Sequence, residues 1–161
     1  MAMRDPMTDS PELKDAKQAV YRSLKYRPRS ESELLKKLRE KSFTAPVIEK
    51  TLEYFKTIGL VNDRQFSLGW VRSRLNKPLG PHRIKRELKH KGIDDDLICS
   101  ALQEATDQYE ESDAVRALIN KRKNKYIGLD KLTVRRRLFG YLSRRGFQTE
   151  TIIKELNHEI R

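Results

Sequence analysis

The sequence predicts an all-α protein, an elongated, curved tandem array of three three-helix (helix–turn–helix-like) repeats. Three observations carry this. Apolar residues recur at helical spacing, and no stretch alternates apolar and polar residues convincingly, as a half-buried strand does. Leu34, Leu38, Phe43, Ile48 and Leu52 return fifty positions on as Ile84, Leu88, Ile93, Ile98 and Leu102. Fifty-four positions further they return as Leu138, Leu142, Phe147, Ile152 and Leu156, with no gap inside any set. A turn accompanies each set: Lys41-Ser42-Phe43, Lys91-Gly92-Ile93 and Arg145-Gly146-Phe147. A cation there closes a helix at its negative carbonyl end. A single helix pair cannot bury its own seam, so a repeat of this length implies units that bury their seams against neighbours.

The elements follow in order. Residues 1–13 read as a disordered lead-in without the apolar centre of a signal peptide. Lys14 to Tyr26 forms a first helix with Ala16, Ala19, Val20, Leu24 and Tyr21 on its apolar side, and Pro28 stops it. Ser30 and Glu33 make a capping box that opens the helix of Leu34, Leu35 and Leu38. Thr44 caps the next helix, which buries Val47, Ile48, Leu52 and Phe55 and ends at Gly59. Residues 14–60 are thus the first repeat.

The second, 61–106, opens at the cap Asn62-Asp63 with Phe66, Trp70 and Val71 on its helix. Phe66 and Trp70 lie four apart, a spacing that places them in a core rather than under a nucleobase. Pro78 and Pro81 break the helix before the central pair, in which Gly92 supplies a left-handed turn and Asp94 or Asp95 the cap. The third repeat, 107–161, follows an acidic bend from Thr106 to Asp113. It opens on Ala114, Ala117 and Leu118 and turns at Gly128; Thr133 and Thr149 are read as caps of its last two helices.

Charge restricts the function. The chain carries +12 overall. Arg72 to Lys91 has eight Lys/Arg against the single acid Glu87, and Arg116 to Arg145 has eleven against Asp130. Gly92 to Val115 between them has eight acids and no Lys or Arg. Clustered positive charge fits a polyanion or an acidic protein surface. Major-groove reading by the helix–turn–helix is disfavoured, because the second helix would present Asp94, Asp95 and Asp96, or Glu150, to phosphates. The cations lie on the preceding helix instead, where they suit phosphate contact without base readout.

Catalytic and metal chemistry lack a pattern. His82, His90 and His158 have no cysteine partners, no nucleotide-binding glycine loop is present, and the triple Asp reads as a cap. Cys99, the one cysteine, falls in the apolar part of its helix and reads as a buried or half-buried small residue. A lone cysteine and the lack of an eighteen-residue apolar run fit a cytoplasmic protein with no membrane span.

The run Gly80-Pro81-His82-Arg83-Ile84-Lys85-Arg86-Glu87-Leu88-Lys89-His90-Lys91-Gly92-Ile93 resembles the central motif of the bacterial RecX regulatory proteins. Arg29 to Leu38, Gly59 to Phe66, and Arg144 to Phe147 with Ile152 resemble the flanking parts, so the similarity spans about Ala16 to Leu156. The third repeat is the loosest match. The resemblance implies a modulator of the RecA recombinase, acting in DNA repair, homologous recombination and the SOS response. Members bind the RecA filament on single-stranded DNA, in its groove or at its end, and inhibit its ATPase, strand-exchange and coprotease activities; some bind DNA directly. It supplies no catalytic residue, cofactor or metal.

From charge placement, the expected contacts to the filament and to single- or double-stranded DNA are Arg72, Arg74, Lys77, Arg83, Arg86, Lys89, Arg135, Arg136, Arg137, Arg144 and Arg145. The protein is expected to be a monomer. The rival reading is a general DNA-binding protein, architectural or transcriptional, with no RecA partner.

Overall fold

The structure, a computed structural model, describes residues 10–107 and 109–160. Among these it contains nine α-helices and no strand: α1 Pro11–Tyr26, α2 Glu31–Glu40, α3 Ala45–Thr57, α4 Asp63–Leu75, α5 Pro81–His90, α6 Asp95–Thr106, α7 Glu111–Lys123, α8 Lys131–Arg145 and α9 Thr149–Glu159. A single 3₁₀ turn, Asn124–Tyr126, follows α7. Most of the expected lead-in lies outside the described residues. Its last part is helical, however: α1 begins at Pro11, not Lys14, because Ser10 accepts a hydrogen bond from the Leu13 N–H and Pro11 suits the first turn.

Capping is where local reading succeeds and fails. Both halves of the Ser30–Glu33 box are formed, Asn62 accepts from the Gln65 N–H, and Asp94 accepts from the Asp96 N–H. Thr44 occupies its cap position without using its hydroxyl; its backbone N–H donates instead to Glu12 on α1, at 2.9 Å. Thr149 is the first residue of α9, not its cap. The cap is Gln148, whose N–H donates to Glu111 on α7, at 2.8 Å. Asp130, not Thr133, caps α8, accepting from the Thr133 N–H. Thr44 and Gln148 are equivalent positions of the first and third repeats. Where the middle repeat has the self-capping Asp94, the outer two borrow a glutamate from their first helix.

Each three-helix unit has its own core. Leu13, Ala16, Val20, Leu34, Leu38, Val47, Ile48, Leu52, Phe55 and Val61 form the first. Phe66, Val71, Leu79, Ile84, Leu88, Ile93, Ile98 and Ala101 form the second. Val115, Leu118, Ile119, Val134, Leu138, Leu142, Phe147, Ile152 and Leu156 form the third. Of the repeated apolar positions only Phe43 and Leu102 are partly exposed. Tyr21, expected on the apolar side of α1, is 44% exposed, with its ring edge-on to Phe55, and two further residues sit differently from the sequence expectation. Ala117 faces solvent while Val115 and Ile119 turn inward. Cys99 is exposed, because α6 directs Ile98 and Ala101 into the core and position 99 falls off that stripe.

The units touch at their tips. The helix pairs that pack along their length all lie within one unit, α1–α3, α4–α6 or α7–α9. The accessible surface is 10883 Å²; a compact globule of 19.0 kDa exposes about 8,400 Å². Residues 1–9, even wholly exposed, supply no more than about 1,500 Å² of that excess. The array is therefore extended.

Both junctions use one geometry: the start of the middle helix of one unit meets the glycine turn of the next. At the first, Ser30 Oγ donates to the Lys91 carbonyl at 2.7 Å. At the second, the Gly80 and His82 N–H groups donate to the Arg145 and Gly146 carbonyls at 2.9 and 3.0 Å. Gly92 and Gly146 have φ of +73° and +83°, and a Cβ on either would overlap Ser32 or Arg83 of the preceding unit. Ser42 is the equivalent residue of the first unit, at φ 61°. It is exposed, so a side chain is tolerated there.

Candidate interaction surface

The basic residues singled out by charge divide into two groups once their neighbours are known. Arg74 is bound: its Nε lies 2.6 Å from Glu87 and its guanidinium 4.1 Å above Trp70. Arg83 pairs with the same Glu87 at 3.2 Å, and Lys89 with Asp95 at 3.0 Å. Arg135 donates to the Leu156 and Ile160 carbonyls and to Asn157, closing the end of α9. Arg145 donates to the Lys77 and Pro78 carbonyls across the second junction and lies 4.9 Å from the Tyr141 ring. Each of these five already has a partner within the fold.

The others are available. Lys77, Arg86, Arg136 and Arg144 are exposed, and none has a side-chain partner among the described residues. Arg137 is exposed 5.8 Å from the Tyr126 ring. Arg72 approaches Glu104 only at 3.9 Å, with 63% of its side chain exposed. An exposed pair at that distance contributes well under about 1 kcal/mol, so a phosphate can displace it. These six cations sit on α4, the α4–α5 turn, α5 and α8, in the second and third units.

Trp70 is a structural residue. Phe66 stacks 5.7 Å from it, Arg74 and Lys91 lie 4.1 and 4.3 Å from its ring centre, and its indole N–H donates to Glu87 at 3.1 Å. Its ring is therefore already in contact with three side chains. Burial raises the Glu87 carboxyl's pKa, but bonds from Arg74, Arg83 and Trp70 outweigh that and hold it below its ordinary value.

The first junction has a charged centre that the clustering of charge along the sequence does not reveal. Glu33 receives Arg27 at 2.7 Å, Lys91 at 3.0 Å and Arg29 at 3.9 Å, besides the Ser30 N–H. Burial pushes its carboxyl up, yet the donors from Arg27, Lys91 and Ser30 prevail and hold it at about 2. The capping box gives Glu33 a local role; its partner fifty-eight residues away leaves no mark in sequence spacing.

Among the described residues no group of His, Cys, Asp or Glu is gathered as metal ligands are, and no helix is long and apolar enough to cross a membrane. Asp94 serves as a cap, and Asp95 pairs with Lys89.

A string of three-helix units, each with its own core and joined tip to tip, defines a tandem helical-repeat protein. Models of the first, second and third three-helix domains of RecX match residues 16–55, 62–102 and 109–154. The regulatory protein RecX of Amycolatopsis mediterranei (strain U-32) is 36% identical over 146 residues, 88% of this chain and 83% of that one. That of Prosthecochloris aestuarii is 32% identical over 157 residues, covering 94% and 97%. The crystal structure of RecX from Lactobacillus salivarius superposes with a TM-score of 0.82 at 25% identity, over 91% of this chain and 96% of the other. The chain belongs to the RecX family of regulatory proteins.

Proposed function

We propose that this protein binds the RecA filament assembled on single-stranded DNA and inhibits its ATPase, strand-exchange and coprotease activities. It acts as a cytoplasmic monomer that performs contact, not catalysis. The observation that carries the reading is the set of unpartnered cations, Lys77, Arg86, Arg136 and Arg144 with Arg72 and Arg137, spread over two units of an extended array. An extended surface suits a long polymer better than a small ligand. Exposed cations with no base-reading geometry suit the phosphates of bound DNA or the carboxylates of the filament's protein. Both kinds of partner fit, since the acidic stretch from Asp94 to Asp113 can meet basic protein surface.

The test is a titration of RecA ATPase on single-stranded DNA, run beside an unrelated basic protein of equal charge. Inhibition at well under one copy per DNA site, unmatched by the control, is expected. Inhibition only at saturating amounts, equal to the control, would instead identify a general DNA-binding protein. Co-sedimentation with filaments at protein concentrations too low to bind free RecA or bare DNA checks the same reading independently.

A further inference from the structure

Gly69 has no role in the fold. It lies in the middle of α4, with none of the positive φ that glycine alone tolerates, and a Cβ built on it meets nothing within 4 Å. A mid-helix glycine weakens a helix relative to alanine. By contrast, a Cβ on Gly80, Gly92 or Gly146 would overlap backbone or a side chain.

What Gly69 does is keep a hollow open. A concavity of about 430 Å³ lies at the meeting of the first two units, floored by Leu60, Phe66, Gly69 and Trp70 and flanked by Arg27 and Arg29. Leu60 leaves 51% of its surface exposed there. Arg29 is poorly satisfied. Its nearest carboxylate, Glu33 at 3.9 Å, is already held by Arg27 and Lys91, and its Nε–H has no acceptor. A mainly apolar floor beside an under-used guanidinium fits an occupant that joins a bulky apolar group to an anion. A nucleobase is the poorer fit, because Phe66, Arg74 and Lys91 already compete for the Trp70 ring on which it would stack.

We propose that this hollow is a docking site for an acidic segment of a partner protein, whose one large apolar side chain seats over Gly69 beside Leu60 and Trp70 while a neighbouring carboxylate pairs with Arg29. The proposal deepens the filament reading by naming where a protein partner is gripped, and rests on it only for that partner's identity.

The probe is the peptide Asp-Glu-Phe-Glu-Asp, added to the full-length ¹⁵N-labelled protein and followed by two-dimensional NMR. The Gly69 amide and the Trp70 indole N–H are expected to shift together and saturate. Replacing the central Phe by Ser weakens binding about tenfold or more, and Arg29→Gln weakens it several-fold. Gly69→Leu abolishes it with a melting temperature equal to or above the parent's, while Gly69→Ala retains the fold and raises stability. Absence of saturable shifts at Gly69 and Trp70, undiminished binding by Gly69→Leu, or a thymidine pentanucleotide moving the same signals as tightly would each overturn the proposal. No recombinase is present in this titration, so its outcome is separate from the success or failure of the ATPase test.

Discussion

The hydroxyl of Ser30 donates to the carbonyl of Lys91 at 2.7 Å, and the N–H of Gly80 donates to the carbonyl of Arg145 at 2.9 Å. Ser30 and Gly80 are equivalent residues of adjacent repeats, and so are Lys91 and Arg145. One kind of junction, built once by a side chain and once by backbone, thus joins all three units. The second version brings the two backbones closer. It therefore leaves no room for a Cβ at Gly80.

Glycine is required at these turns for two reasons, and the two separate by mutation. Gly92→Ala and Gly146→Ala combine left-handed strain with overlap onto the preceding unit; each is expected to cost more than about 2 kcal/mol. Ser42→Gly at the equivalent but exposed turn relieves strain and overlaps nothing; it is expected to stabilise by about 1 kcal/mol. Urea denaturation of the three variants measures this. A destabilised Ser42→Gly would contradict it.

Glu33 gives the first junction a pH dependence of defined sign. Its folded carboxyl titrates at about 2 against an ordinary 4.5. The unfolded chain therefore binds the extra proton between those values, and stability present above about 4.5 is lost as pH falls towards 2. Glu33→Gln is expected to melt lower than the parent at pH 7 and to converge with it as the pH falls to about 2 and below. Parallel melting curves across that range would show that Glu33 is not the group responsible.

The division among the arginines predicts two phenotypes. Arg136→Ala with Arg144→Ala is expected to leave the melting temperature within a degree or two while weakening DNA binding and flattening its salt dependence, by about one unit of log–log slope for each phosphate no longer neutralised. Arg135→Ala removes the cation that closes α9 and is expected to destabilise by about 1–2 kcal/mol, with little change in salt slope. Fluorescence anisotropy at several salt concentrations, beside thermal melts, resolves the pair.

Leu88 is wholly buried in the middle core. Leu88→Asp places an unpaired charge there and is expected to unfold the second unit; Leu88→Ala is expected to cost about 2–5 kcal/mol. Circular dichroism should show the loss, and hydrogen exchange should localise it to α4–α6. Protection that persists in α4–α6 would disprove a separate middle core.

The amino-acid order alone determined the helices, the threefold repeat and most of the buried seam, because a 3.6-residue period, a capping box at Ser30 or a turn glycine at 92 is written within a few neighbouring positions. Family membership was legible for the same reason, in the run from Gly80 to Ile93. Tertiary structure alone decided which charges are free. Arg135 looked like its neighbours Arg136 and Arg137 until α9 brought the Leu156 and Ile160 carbonyls to it. Glu33 looked like a cap until Lys91 arrived from the next unit. It also decided the caps that Glu12 and Glu111 lend across a unit. Backbone periodicity is a short-range property, whereas a side chain's electrostatic partner is set by whatever folding carries to within a few ångströms of it.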